Sequence, residues 1–440
     1  MTTSSKYGLS QGISSARVGD IAIGVYVFAA VALEDGSSAA KIARFILVAS
    51  ALIETTAKPV KGNLVIWWQL CFVGYAALSI FWAFSSDNAQ QMALTLAINA
   101  MCIIALTYLI IDDAARVRLF LVCLMIAPTL LMIRIGAQHG LLAYVQSREA
   151  GNTNANIVGI VGAFGFGLAS LNATRSVLLS PWIGRLFVLS NILVVAFSAS
   201  RKAITMVALI VILFSLLNNQ NGALRRVLKV ATAAILGLMG YWLIMNVAPL
   251  YTLIGHRMDT MLNSFRGTGE VDSSTTTRLS LIEKGLRWFE ERPWFGHGGD
   301  NFRTLMATYY PHELALYAHN NFVEILVNFG IFGFVLFYWM YARIIITGIK
   351  HRRDLNPIQS MALSLMITLF VMEYGSIDYF NKILMAFVAV AWVAVCTNTL
   401  SENREGSSES EKFRRLHLQG HAGRTFTNKS TTPATFGVDL

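Results

Sequence analysis

The sequence predicts an all-α fold, a polytopic membrane helix bundle, and three observations carry that expectation. Hydrophobic residues make up 55% of the 440 residues and charged ones only 14%, against roughly 25% charged in an ordinary soluble domain. Apolar runs recur from Val18 to Asn398, many exceeding the roughly 18 residues that cross a bilayer as helix. The ten-residue alternating segments of a transmembrane barrel are not visible. With a mean hydropathy of +0.54, the composition excludes a soluble globular enzyme, a disordered chain and a coiled coil.

Twelve candidate spans follow in order, near 18–33, 40–53, 64–84, 92–111, 117–136, 156–172, 182–198, 203–217, 228–247, 320–341, 358–372 and 382–398. Residues 1–19 are polar and lack a basic lead into a short apolar core, so the first membrane helix is expected to direct insertion. Placing both termini in the cytoplasm puts the clusters Arg225-Arg226-Lys229 and Lys350-His351-Arg352-Arg353 inside, as the positive-inside rule requires. Four segments result: an N-terminal bundle of about nine helices (1–248), a long outer loop with amphipathic helices (249–318), the C-terminal helices (319–398) and a polar, solvated tail (399–440). The net charge of +10 fits this orientation and an anionic ligand better than a nucleic acid partner. All four cysteines, Cys71, Cys102, Cys123 and Cys396, lie in apolar runs, which leaves no disulfide framework and no metal-type spacing.

The outer side gathers an unusual set of polar residues. In Ser198-Ala199-Ser200-Arg201-Lys202 a tight corner joins two apolar runs and puts Arg201 at the membrane boundary; it reads as a snorkelling arginine or as a ligand group. In the long loop, Leu279, Ile282, Leu286 and Phe289 recur at helical spacing after Thr275-Thr276-Thr277, with a threonine as N-cap. Arg278 falls at the border of that apolar stripe, aimed at the bundle or at the surface. Proline then ends the helix, and Gly296-His297-Gly298-Gly299 forms a tight turn, a weak candidate for a phosphate-cradling nest. His319 opens the tenth span, where the helix dipole favours the neutral imidazole that a general base requires; a plain interfacial histidine bonded to a loop carbonyl is the alternative. Glu324 lies deeper, where an ionisable group needs a partner or a task. Arg148, Asn154 and Asn156 precede the sixth span, whose Gly159, Gly162, Gly165 and Gly167 form a small-residue packing face. Glu373 and Asp378 sit between the last two spans. Two arginines, a histidine and carboxylates on one side suit a phosphorylated group at the membrane surface with a base for an attacking hydroxyl. No nucleophile–base pair for covalent catalysis stands out, and no metal-binding motif occurs in the loop.

At these residues the chain resembles the O-antigen ligase and polymerase (Wzy-type) superfamily of membrane glycosyltransferases. The likeness rests on Ser198-Ala199-Ser200-Arg201, on Thr277-Arg278 with Trp288, Phe289, Pro293, Gly296 and Gly298, and on His319-Asn320, Glu324, Gly330 and Gly333. Looser spacings run from Arg287 to Gly298 and from His319 to Gly330, and Asn154/Asn156 after Arg148 is similar to a weaker family feature. The resemblance implies a C-type glycosyltransferase bundle that needs neither metal nor cofactor. Its substrate would be an undecaprenyl-diphosphate-linked glycan, and its acceptor a second glycan or lipid A-core. It implies Arg201 and Arg278 on the donor diphosphate and His319 as the base. Arg148, Asn156, Arg287, Asn320, Glu324 and Asp378 would bind substrate, with Glu373 the alternative to Asp378. It further implies the bacterial inner membrane, a periplasmic active site, and a flippase and chain-length regulator as partners. Polymerisation of O-antigen, capsule or exopolysaccharide is the preferred activity and ligation to lipid A-core the alternative. A secondary transporter is disfavoured because no half-repeat is apparent.

Overall fold

The computed structural model describes residues 6–34, 36–56, 62–147, 149–150, 153–218 and 273–397, with isolated positions elsewhere. The expected ninth span, Arg148 and nearly all of the polar tail lie outside the described residues. Residues 1–399 form one compact unit. The helices are α1 (Lys6–Ala32), α2 (Ser38–Thr55), α3 (Leu64–Leu78), α4 (Ser86–Ile110), α5 (Ala114–His139), α6 (Leu141–Ser147), α7 (Ala155–Arg175), α8 (Pro181–Phe197) and α9 (Arg201–Leu217). After the long loop begins, α10 (Ser273–Glu291), α11 (Phe302–Tyr309), α12 (Asn321–Lys350), α13 (Pro357–Met372) and α14 (Lys382–Cys396) complete the described set. The described strands are a two-residue pair, Glu149–Ala150 with Thr153–Asn154, leading into α7.

Eleven of the twelve expected spans fall on helices. Among the described residues six are long and apolar enough to cross a membrane: Leu64–Phe81, Ser86–Ile110, Ala114–His139, Ala155–Arg175, Asn321–Lys350 and Pro357–Gly375. The apolar parts of α1, α8 and α14 are shorter. The helix α2 carries Lys41, Arg44 and Glu54, and α9 starts on Arg201-Lys202, which dilutes both.

Polar side chains fix where helices start, because the first-turn N–H groups have no intrahelical acceptor. Asn63 caps α3, Asp113 caps α5, Asn154 caps α7, Asn320 caps α12 and Asn381 caps α14. Asn356 closes a full capping box with Gln359 on α13. The glycine face of α7 does what a small-residue face should. A Cβ on Gly162 would lie 2.8 Å from Val194 of α8, and one on Gly167 would lie 3.0 Å from Ile210 of α9 and 3.2 Å from Leu365 of α13. So α7 is the hub on which α8, α9 and α13 pack.

At one end of the bundle Arg116, only 4% exposed, ties three helices together. Its guanidinium reaches Glu54 of α2 at 2.7 Å, Asp20 of α1 at 2.9 Å and Asp113 at 3.6 Å. Twelve residues beyond Asp20, roughly 18 Å by helical rise, the C-terminal end of α1 at Ala32 reaches the opposite end of the bundle. There the starts of α7, α12 and α14 and the turn after α13 converge on a cavity.

The long loop is stitched into α12 at a break. Gly330 sits at φ 65°, ψ −169°, which interrupts the helical hydrogen bonds and frees groups on either side. The strand-like run 293–298 satisfies them in both directions. His297 N–H donates to Val327 O and Gly298 N–H to Asn328 O, both at 2.8 Å. Ile331 N–H donates to Pro293 O at 2.8 Å and Phe332 N–H to Trp294 O at 3.3 Å. A Cβ on Gly296 would come within 2.6 Å of the Asn328 and Phe329 backbone. Glycines at 296 and 330 are therefore required by backbone approach, and at both the φ is positive.

Candidate active site

The cavity measures about 330 Å³. Its polar lining comes from Glu34 after α1, Asn154 and Asn156 of the α7 start, Asp300 and Arg303 beside α11, Tyr317, His319 and Glu324 at the α12 start, and Ser376, Asn381 and Lys382 of the α13–α14 region. Arg201, Lys202 and Arg278 stand outside that lining.

His319 is placed by its neighbours on both sides. Asn320 accepts from Phe322 and Val323 N–H at 3.0 and 3.2 Å, which leaves His319 as the last residue outside the helix, at φ 53°. A left-handed histidine is uncommon and costs on the order of 1–3 kcal/mol, so the surroundings must hold it. Glu324 does so from within α12. Its Oε2 accepts from Ala318 N–H at 2.9 Å and its Oε1 from Asn328 Nδ2 at 3.1 Å. Asn328 Oδ1 in turn accepts from Asn301 and Phe302 N–H, both at 3.1 Å, and so caps α11. One buried chain of hydrogen bonds therefore ties the end of the loop to the glycine turn in its middle.

Neither ring nitrogen of His319 has a hydrogen-bond partner among the described residues; its ring lies 4.2 Å from that of Tyr317. Burial, then the cations Arg278, Lys202 and Arg303, push its pKa down to about 4. The imidazole is therefore neutral near pH 7, as the sequence led us to expect. The main cause is burial and the cations around it, whereas the sequence argument rested on the helix dipole.

Arg278 is half-buried and acts on His319, Lys202 and Tyr317. The helix carrying it, α10, begins at Ser273, so Arg278 stands in the second turn and not at a threonine-capped start. It lies on the face that buries Leu281 and Trp288 in a cluster with Phe302, Leu305 and Val323. Arg287, nine residues on, falls about 180° round the helix at 100° per residue. Its side chain is 65% exposed and pairs with Glu283 at 2.7 Å, and it does not line the cavity.

Arg201 opens α9, half-buried, beside the corner Ser198-Ala199-Ser200. Ala199 takes φ 47° there, and a Cβ on Gly159 would lie 2.6 Å from Ala203 and 2.9 Å from Ser198 Oγ. The corner is thus pressed against α7, where Ser200 Oγ bonds Asn156 Oδ1 at 3.0 Å. Asn156 lines the cavity. Lys202, which the sequence reading passed over, extends toward Gly375; its Nζ is enclosed and has no hydrogen-bond partner.

Asp378 was expected to touch substrate, yet it is fully enclosed. Ser376 Oγ donates to its Oδ2, and its own N–H donates to Asn321 Oδ1 at 3.0 Å. These bonds turn it away from the cavity wall, and burial raises its pKa while the Lys202 charge opposes the rise. Glu373, the alternative, is also enclosed and accepts from Tyr338 OH at 2.6 Å and Asn321 Nδ2 at 3.0 Å. Asn321 thereby joins α12, α13 and the α13–α14 turn through four bonds. Asn320 and Glu324 are likewise committed to backbone, which makes them positioning residues. The glycine turn is not a phosphate nest: its N–H groups go to Arg292 O, Val327 O, Asn328 O and Ser79 Oγ.

The sequence reading also missed Asp300, Arg303 and Tyr317. Arg303 stands with its Cζ 5.0 Å over the Tyr317 ring. The available signal was a cationic residue at the start of a short amphipathic helix just after the glycine turn.

A polar cavity lies at one end of an apolar helix bundle, and Arg278, Lys202 and Arg303 act on the uncharged imidazole in its wall. Residues 186–338, from α8 into α12, match the family model described as O-antigen ligase. That match carries Arg201, Arg278 and His319 and supports a place in the O-antigen ligase and polymerase superfamily, as a membrane enzyme of polysaccharide assembly. No curated protein matches the chain.

Proposed function

We propose that the chain transfers a glycan from an undecaprenyl-diphosphate-linked donor to an acceptor hydroxyl at the periplasmic face of the bacterial inner membrane, polymerising surface-polysaccharide repeat units. The observation that carries this reading is His319, neutral and with both ring nitrogens unengaged among the described residues, on the wall of a cavity where Arg278, Lys202 and Arg303 act on it. The acceptor hydroxyl loses its proton to His319 as its oxygen attacks the anomeric carbon. The bond from that carbon to the diphosphate breaks in the same displacement, so the configuration inverts. Negative charge then grows on the leaving lipid diphosphate, and the guanidinium groups of Arg278 and Arg201 stabilise it. Fixed cations at a partly dry site act on developing charge far more strongly than in water. Asn156 orients substrate from the opposite wall. Cytoplasmic termini follow from the same topology, because the cavity and the His351–Arg353 turn lie at opposite ends of α12.

The test uses a strain lacking the gene, complemented with His319→Ala, Arg278→Ala or Arg201→Ala. Each variant is expected to insert normally and to abolish glycan transfer; normal product from the His319 variant would end the proposal. The glycan left in the deletion strain decides the acceptor. Lipid-linked single repeats mark a polymerase, and full-length chains unattached to lipid A-core mark a ligase.

A further inference from the structure

We infer that Arg303, backed by the Tyr317 ring, is a further oxyanion-binding group of this cavity and grips the diphosphate of the lipid-linked donor. The inference rests on the glycosyl-transfer reading above and adds a residue which that reading leaves idle. Four observations converge on it. Arg303 lines the same cavity as His319. Although exposed, it forms no ion pair among the described residues, and Asp300, three residues earlier, shares the cavity wall without pairing to it. Its one contact of note is the face of Tyr317, with Cζ 5.0 Å from the ring centroid. The same ring touches His319 at 4.2 Å between centroids, so one aromatic side chain sets the distance between the guanidinium and the proposed base.

Stacking on a ring fixes the plane of a guanidinium while leaving its N–H edge free to donate, and that edge matches two oxygens of a phosphate. Burial raises the Asp300 carboxyl toward its neutral form, and the Arg303 charge opposes that rise. Arg278, Lys202 and Arg303 come from three different helices, α10, α9 and α11. Together they put positive charge on separate sides of His319, as a diphosphate spanning two phosphoryl groups requires.

The experiment uses the full-length protein purified in detergent, with inorganic pyrophosphate as the probe, and membranes supplied with lipid-linked repeat units for kinetics. Pyrophosphate is expected to raise the thermal midpoint of the wild type, and Arg303→Met to abolish that rise. In the kinetic assay Arg303→Met should raise the donor KM by about tenfold or more, with a smaller change in kcat. Arg303→Lys should recover only part of the loss, because an ammonium offers no planar fork. Tyr317→Leu should weaken donor binding more than Tyr317→Phe, since the ring and not the hydroxyl carries the contact. Absence of any pyrophosphate effect on the wild type, or an Arg303→Met protein with wild-type donor KM and an intact midpoint rise, overturns the inference. So does a change confined to the acceptor KM, which would assign the anion to the acceptor glycan. The midpoint measurement needs no turnover: if His319→Ala stays active, the transfer mechanism falls while the pyrophosphate result still reports on Arg303.

Discussion

Two cationic clusters stand at opposite ends of the bundle, and their difference separates structure from function. Around Arg116 every charge is answered: Glu54 and Asp20 meet the guanidinium at 2.7 and 2.9 Å, and the Leu109 carbonyl adds a further bond at 3.1 Å. Around His319 the accounts stay open. Among the described residues Lys202 Nζ is enclosed without a hydrogen-bond partner, the imidazole nitrogens have no partner, and the exposed Arg303 lies over a ring face. Desolvated charge is costly unless compensated. A cluster that compensates itself has reached its final state when the chain folds, and one that does not is completed by a ligand.

The sharpest way to break that comparison is to remove one charge from each cluster. Arg116→Met leaves Glu54, 7% exposed, without its partner and should destabilise the protein by about 3–5 kcal/mol. Loss of protein from membranes and a lower thermal midpoint in detergent are the readouts. The double variant Arg116→Met/Glu54→Met should recover much of the loss, because a buried pair replaced by apolar groups leaves no orphan charge. Lys202→Met should do the reverse at the other end: the midpoint holds or rises while transfer weakens. Equal destabilisation by Arg116→Met and Lys202→Met would erase the distinction.

Next in size is the seam that carries the loop. Gly330→Ala must place a side chain at positive φ against the Trp294 backbone, at a cost on the order of 3 kcal/mol. Gly296→Ala should act alike, since its Cβ would press on the Asn328 backbone. Both residues serve the site from a distance, because the same seam positions Asn328 and through it Glu324 and the His319 backbone. The expected readout is a lowered midpoint together with lost activity. A stable but inactive Gly330→Ala would show that the break, not the packing, is what function requires.

The sequence exposed the parts of this molecule whose signals are local. Apolar runs marked the helices to within a few residues, and the motif around His319 marked a residue of the cavity wall. The glycine run was visible too, but its task was not: whether free N–H groups cradle a phosphate or pair with a broken helix depends on a partner some thirty residues away. Arg287 was singled out by its spacing to Gly298, whereas its phase relative to Arg278 puts it on the other side of the same helix. Asp378 and Glu373 were found as outward carboxylates, and only the four bonds of Asn321 show why they are drawn inside. Arg303 and Lys202 gave no periodic or spacing signal, since a cation is recognised as unpaired only when its neighbours are known.

The smallest effect concerns pH, and it tests how the cations divide the work. With the His319 pKa down to about 4, the base is deprotonated throughout the neutral range, so kcat/KM should fall only below about pH 5 on the acid side. Arg278, Lys202 and Arg303 each disfavour the imidazolium, while Tyr317 contributes only its ring. Removing one positive charge therefore raises the pKa, and in Lys202→Met the acid limb should move upward by a fraction of a unit. It should stop short of the ordinary imidazole value near 6.5, because burial, the largest cause, is untouched. Bound diphosphate acts in the same direction by favouring the imidazolium, so the acid limb of kcat should lie above that of kcat/KM in the wild type. An acid limb already near 6.5, or one that moves down when Lys202 is removed, would show that His319 does not titrate in this cationic ring, and with it would go the contrast between the two ends of the bundle.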